Sequence, residues 1–158
     1  MAVGSGAARG LTLIELMVVV VVLAILATIV VPTYNTYITK ARRADGTGTA
    51  TAVALAQERH FSIYQGYKAV ADAAGAKELV DKTGLSPELA KLTSPKGYYS
   101  WTVAACPGGD IAQCFSVSVT PVAGGAQAND QKCTEIFLDS NGLKDGKPAD
   151  THECWGKQ

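Results

Sequence analysis

The sequence predicts an α+β protein, with one long N-terminal α-helix whose later part packs on a C-terminal antiparallel β-sheet. Three observations lead there. Leu11 to Val31 is a 21-residue run broken only by Thr12, Glu15 and Thr28, and about 20 apolar residues are what a helix needs to cross a hydrocarbon core. Three stretches in the second half alternate apolar and polar residues with the period of two that marks a half-buried strand. All four cysteines, Cys106, Cys114, Cys133 and Cys154, lie in the C-terminal third of the chain.

The 158 residues leave room for one membrane helix and one modest head. The expected organisation is a leader over 1–10, a membrane helix over 11–32, and a head over 33–158 built on the continued helix. Fourteen basic and fourteen acidic residues cancel, so net charge gives no ground for a dedicated nucleic-acid protein.

The leader, MAVGSGAARG, carries one charge, Arg9. A secretory signal has a basic start, an apolar stretch of about 7–15 residues and a small-x-small site after it. Here the apolar run is longer and no such site directly follows Val31, so a cut is expected before the helix, after Gly10, making Leu11 the new N-terminus. Glu15 then sits one turn into the helix. An ionised side chain in such a span costs on the order of 2.5–3.5 kcal/mol, while the helix macrodipole offsets only about 0.3–1 kcal/mol. The acid needs a cation, and the α-amine of Leu11, from the same chain or an adjacent copy, is the one at that depth.

Pro32 removes a backbone donor and crowds the carbonyl of Thr28, which predicts a kink or a locally unwound turn without ending the helix. Helical spacing resumes with Tyr34, Tyr37, Ile38 and Ala41, then Ala50, Val53, Ala54 and Gln57. Continued to about Ile63, the helix would be roughly 80 Å long, with Gly46 and Gly48 each weakening it by about 1 kcal/mol. Tyr34 and Tyr37 fit the membrane interface. Lys40, Arg42 and Arg43 follow the span and only Arg9 precedes it, which by the positive-inside bias puts the head in the cytoplasm. The even cysteine count points instead to an oxidising compartment, and it carries more weight because a dedicated targeting signal overrides a charge bias.

Further on, KELVDKTG and SPELAKL read as short helical turns. YYSWTVAA puts Tyr99, Trp101 and Val103 on one face, FSVSVTPV alternates Phe115, Val117 and Val119 with Ser116, Ser118 and Thr120, and CTEIFLD sets Ile136 with Leu138. A sheet with one apolar face needs cover on one side, and the head half of the helix supplies it. Four cysteines permit three pairings. Cys106 and Cys114 bracket the turn between the first two strands, so pairing them staples a hairpin; Cys133 with Cys154 then closes a loop over 133–154 that contains the turn DSNG. The spacings C-x7-C and C-x20-C lack the short cysteine pairs of structural zinc sites, and neither a metal nor another cofactor is expected.

Arg9-Gly10 followed by LTLIELMVVVVVLAILATIVVPTYNTY resembles the prepilin signal of type IV pilins. The resemblance implies that a prepilin peptidase cuts after Gly10 and methylates Leu11, a position usually held by phenylalanine, and that Glu15 is the acid required for assembly. The stretches YNTYITKARRADG and FSVSVTPVAGGAQANDQKCTEIFLDSNGLK are similar to those of PilE-like type IVa pilins and related competence pilins, and the cysteine-bounded loop resembles the variable C-terminal region of that family. Type II secretion pseudopilins share the helix but commonly lack the loop.

The resemblance implies a structural subunit of a pilus. Its partners would be other pilin subunits, the prepilin peptidase, and the inner membrane with its assembly machinery. Its head would lie in the periplasm before assembly and outside the cell afterwards, serving adhesion, twitching motility or DNA uptake. Catalysis is not expected: His60 and His152 are the only histidines, no nucleophile motif or phosphate loop is present, and Asp139 reads as a turn residue. The alternative is a minor pilin acting as a DNA receptor, with Lys132, Lys144, Lys147 and Lys157 on phosphates and Trp155 stacking on a base. Interleaved Asp130, Glu135, Asp139, Asp145, Asp150 and Glu153 make a mixed surface, so direct DNA contact ranks below the filament role. Trp101 is expected in the core and Trp155 over the disulfide of Cys154.

Overall fold

A computed structural model describes residues 12–148 and 151–156. The leader, Gly10, Leu11 and Lys157 lie outside the described residues. Helix α1 spans Leu13–Tyr64, and the chain divides into two units, one up to Ile38 and one from Thr39.

In the first unit α1 is helical throughout, Pro32 included. Its apolar side chains are exposed, from 48% at Val22 to 76% at Leu13, and the helix is long and apolar enough to cross a membrane. Hydroxyls in such a segment must find partners within it. Thr28, Thr33 and Thr36 do so by donating to the carbonyls of Ile25 (2.7 Å), Ile29 (3.0 Å) and Pro32 (3.0 Å).

The second unit holds every buried residue of α1: Arg43, Gly46, Thr49, Ala50, Val53, Ala56, Gln57 and His60, at helical spacings of three and four. This stripe faces an antiparallel sheet of order β1-β2-β3-β4, made of β1 Tyr99–Ala105, β2 Phe115–Pro121, β3 Cys133–Asp139 and β4 Lys144–Pro148. Gly46 allows the close approach, since a Cβ there would come within 2.7 Å of the Ile136 side chain and 3.2 Å of the Tyr99 ring. The inward strand residues Tyr99, Trp101, Val103, Phe115, Val117, Val119, Ile136 and Leu138 form the core with Val53 and Ala50, and Trp101 is packed there at 1% exposure, as its strand position predicts.

Strand β4 is a fourth strand beyond the three expected, and lies within the cysteine-bounded loop 133–154. Its sequence, KDGKP, has no apolar alternation. It forms because β3 offers a free edge, with Leu138 opposite Lys144 and Ile136 opposite Gly146. Both disulfides follow the strand-based expectation, Cys106 with Cys114 and Cys133 with Cys154. The second ties the short helix α3, Thr151–Trp155, to the start of β3.

Helix α2, Ala73–Thr83, and a 3-10 turn, Pro87–Lys91, fill the path from α1 to β1. Asp72 caps α2 by accepting from the amide of Gly75 at 2.8 Å, and Gly84 ends it at φ 66°. Gln57 pins the preceding loop by exchanging two 2.8 Å hydrogen bonds with the backbone of Lys68. On the surface, Lys68 and Lys82 each approach the Glu78 carboxylate at 2.6 Å, and their hydrogen bonds, Lys68 first, lower its pKa from 4.5 to about 2. A depressed carboxyl stabilises the fold above its ordinary pKa and loses that contribution as pH falls through the folded value. Glu78→Gln is therefore expected to lower the melting temperature at pH 7, with the gap to the parent closing as pH approaches about 2. Paired melts across that range check this; a gap independent of pH would contradict it.

Candidate nucleic-acid interface

The loop between β2 and β3 is strapped to α1 by polar contacts that begin with two adjacent arginines. Arg43 is 5% exposed. Its Nε and Nη2 donate to the two carboxylate oxygens of Asp130, each at 2.7 Å, and Nη1 donates to the carbonyl of Glu153 at the end of the chain. The hydrogen bonds to Asp130 raise the guanidinium pKa above its ordinary value in spite of burial. Gln127 donates to Asp130 at 2.9 Å and to the carbonyl of Thr39 at 3.0 Å. Arg42 donates to the carbonyl of Ala126 at 2.9 Å, and its guanidinium lies 5.1 Å from the centre of the Tyr98 ring. Sequence reasoning treated Arg42 and Arg43 only as flanking charges. The signal that could have distinguished them is their place on the helix: Arg43 leads the buried stripe of Gly46, Ala50 and Val53.

The lysines singled out from sequence do not form one stripe. Lys147 pairs with Glu135 at 2.8 Å across β4 and β3, and this pairing is the main cause of the lowered pKa of Glu135, whose other oxygen accepts from Ser118 at 2.7 Å. Lys144 lies over the Trp155 ring at 5.2 Å, while the Trp155 indole donates to the carbonyl of Asp145 at 2.9 Å. Lys144 and Lys147 are three apart on a strand, so they leave opposite faces of β4. Lys132 precedes β3, with its backbone amide on Asp130 at 3.2 Å. Because Leu138 is opposite Lys144 and Cys133 opposite Pro148, Lys132 and Lys144 lie roughly 20 Å apart along the sheet.

Of the three cation-over-aromatic pairs among the described residues, Lys82 with Tyr64 lies apart at the ends of α2 and α1, and the two that sit by the strapped loop and α3 are Arg42 with Tyr98 and Lys144 with Trp155. Such a pair offers a charge for a phosphate and a flat apolar surface beside it. Asp139 is occupied as expected of a turn residue, accepting from the amides of Asn141 and Leu143 at 2.9 Å each. The outer side of β3 and β4 carries Glu135, Phe137, Asp139, Asp145 and Lys147, a mildly acidic surface on balance, whose one lysine is paired with Glu135. In the other unit, Glu15 lies in the first turn of α1 and accepts from the backbone and hydroxyl of Thr12.

Residues 6–31 match the prokaryotic N-terminal methylation motif. No curated protein matches. Among solved structures, the high-resolution structure of a type IV pilin from Shewanella oneidensis is similar at 24% identity over 70% of this chain and 92% of that chain, with a TM-score of 0.44. Residues 32–137, most of the head, match the family described as type IV minor pilin ComP, DNA uptake sequence receptor, and the chain belongs to that family.

Proposed function

We propose that this chain is a minor subunit of a type IV pilus whose head binds duplex DNA during uptake. The observation that carries the reading is the family match across 32–137, which covers the strapped loop, Arg42, Tyr98 and most of the sheet. It raises the receptor role above the ranking that sequence charge alone supports. The two cation-over-aromatic pairs supply contacts of the right chemistry.

On this reading the leader is removed after Gly10, Leu11 becomes the methylated N-terminus, and Glu15 pairs with a neighbour's terminal amine as the chain joins other pilin subunits. The prepilin peptidase and the inner-membrane assembly machinery act on it. The head waits in the periplasm, which two disulfides suit, and is carried outside the cell on the filament. Filament formation uses the apolar side chains of α1 before Pro32, all exposed in the single chain.

The head from Thr39 onward contains all the buried core, so it can be titrated alone. Its affinity for duplex DNA, read by fluorescence anisotropy, is expected to fall steeply and log-linearly with salt. An absence of binding at low salt would remove the receptor role and leave a filament subunit.

A further inference from the structure

We infer that Arg43 is a positioning residue for Trp155: its guanidinium ties helix α3 to α1 and so holds the indole where duplex DNA meets it. The inference rests on the DNA contact proposed for Trp155.

The need for a tether follows from the length of α3. A helix of five residues, Thr151–Trp155, has too few internal hydrogen bonds to stand alone, and its last four carbonyls find no partner within it. Three outside contacts fall on its last three residues. The carbonyl of Glu153 accepts from Nη1 of Arg43, Cys154 is joined to Cys133, and the Trp155 indole donates to the carbonyl of Asp145 at 2.9 Å. The disulfide holds one point, about which a short segment can still turn, and Trp155 follows it directly. On the side toward α1 a groove of about 410 Å³, whose lining includes Arg43, Thr47, Glu153 and Trp155, leaves α3 without close packing. The contact that fixes α3 on that side is the arginine's.

Arginine suits this task because its fork is planar and donates in more than one direction. Nε and Nη2 close on the two oxygens of Asp130 at 2.7 Å each, which fixes the plane of the group. Asp130 also accepts from Gln127 at 2.9 Å, and Gln127 donates to the carbonyl of Thr39 at 3.0 Å. With the plane fixed, Nη1 is aimed one way, and Glu153 lies there, its carbonyl accepting and its Oε2 at 3.4 Å. Arg43 is 5% exposed, so it is not itself a contact for DNA and acts through α3. Holding Trp155 in one orientation before DNA arrives removes an ordering cost that binding would otherwise carry. A lysine keeps the charge beside Asp130, but a single ammonium does not reproduce the fork.

The test titrates duplex DNA against the full chain in a nonionic detergent, below the melting of every variant, with the two tryptophans fluorine-labelled for NMR. Arg43→Lys is expected to weaken binding about two- to tenfold, the usual cost of ordering one side chain at an interface, with the salt slope kept because the charge is kept. In the Trp155→Ala background it is expected to cost nothing further, since it acts through the residue removed. Its fluorine spectrum should show the Trp155 resonance, assigned by its loss in Trp155→Ala, displaced, and that of the buried Trp101 unmoved. Leu79→Ala, which opens a cavity in the core on α2, controls for lost stability and should bind as the parent does. Parental affinity for Arg43→Lys beside weakened binding by Trp155→Ala would overturn the inference and leave the DNA contact in place. So would an unmoved Trp155 resonance, or a loss by Leu79→Ala as large as that by Arg43→Lys. An equal further loss in the Trp155→Ala background would also overturn it, by routing the effect through the loop to Arg42 and Tyr98. If Trp101 moves as well, the same cycle is read on Arg43→Met with Asp130→Asn, which removes the tether without stranding the acid. Parental binding by Trp155→Ala would overturn the DNA contact, and the inference with it.

Discussion

Arg43→Met is expected to destabilise the head by about 3–5 kcal/mol, the cost of leaving a buried charge without its partner. Asp130 is 6% exposed and accepts two of its hydrogen bonds from Arg43. Methionine fills most of the space of the arginine stem, so cavity formation contributes little and the loss is electrostatic. Adding Asp130→Asn to Arg43→Met removes the stranded charge while keeping an acceptor for Gln127, and should recover about half of the loss. Urea unfolding of the head gives both values. A cost below about 1 kcal/mol would mean the pair behaves as an exposed salt bridge.

Gly146→Val is expected to detach α3. A Cβ at Gly146 would fall on the Cys154 side chain and lie 3.1 Å from the carbonyl of Glu135, so the strand and the disulfide cannot both keep their places. The cost is put at about 2–5 kcal/mol, that of losing a structural disulfide in a small domain. Peptide mapping without reductant should then find Cys133 and Cys154 free while Cys106 and Cys114 stay joined. Full oxidation with an unchanged melting temperature would show that α3 moves aside at no cost. The Arg43 and Gly146 variants act on the same short helix from two sides, because Arg43 also bonds the carbonyl of Glu153. Their effects should combine less than additively.

The features legible in the sequence were those written in local pattern. The head stripe of Ala50, Val53 and Gln57 and the three alternating strands could be read from spacing because each buries a repeating face, the span from a near-continuous apolar run, and the disulfides from where the cysteines stand against the strands. β4 could not, because KDGKP owes its conformation to the unpaired edge of β3, which belongs to another part of the chain. α3 is five residues long, too short for periodicity to register, and it is held by Cys154, Arg43 and the Trp155 indole. The same limit shaped the candidate site. Lys147 looked available until the strand register set Glu135 opposite it, whereas Arg43 looked like a topology signal until the fold brought it to Asp130, 87 residues away. Charge partners distant in sequence leave no local trace. Gln57 was placed on the right face, but its bonds to the backbone of Lys68 depend on a loop whose path only the fold defines.

The central claim is that the head meets DNA through its cation-over-aromatic pairs, and the most direct test is a comparison of lysine variants across a salt titration. Lys144→Ala is expected to weaken duplex binding and to reduce the slope of log affinity against log salt by about 1, and Trp155→Ala to weaken binding with the slope kept. Lys147→Ala, which lies on the outer sheet face opposite Glu135, should bind as the parent does. The opposite result, with Lys147→Ala losing affinity and slope while Lys144→Ala and Trp155→Ala bind normally, would place the DNA on the outer sheet face and contradict the account.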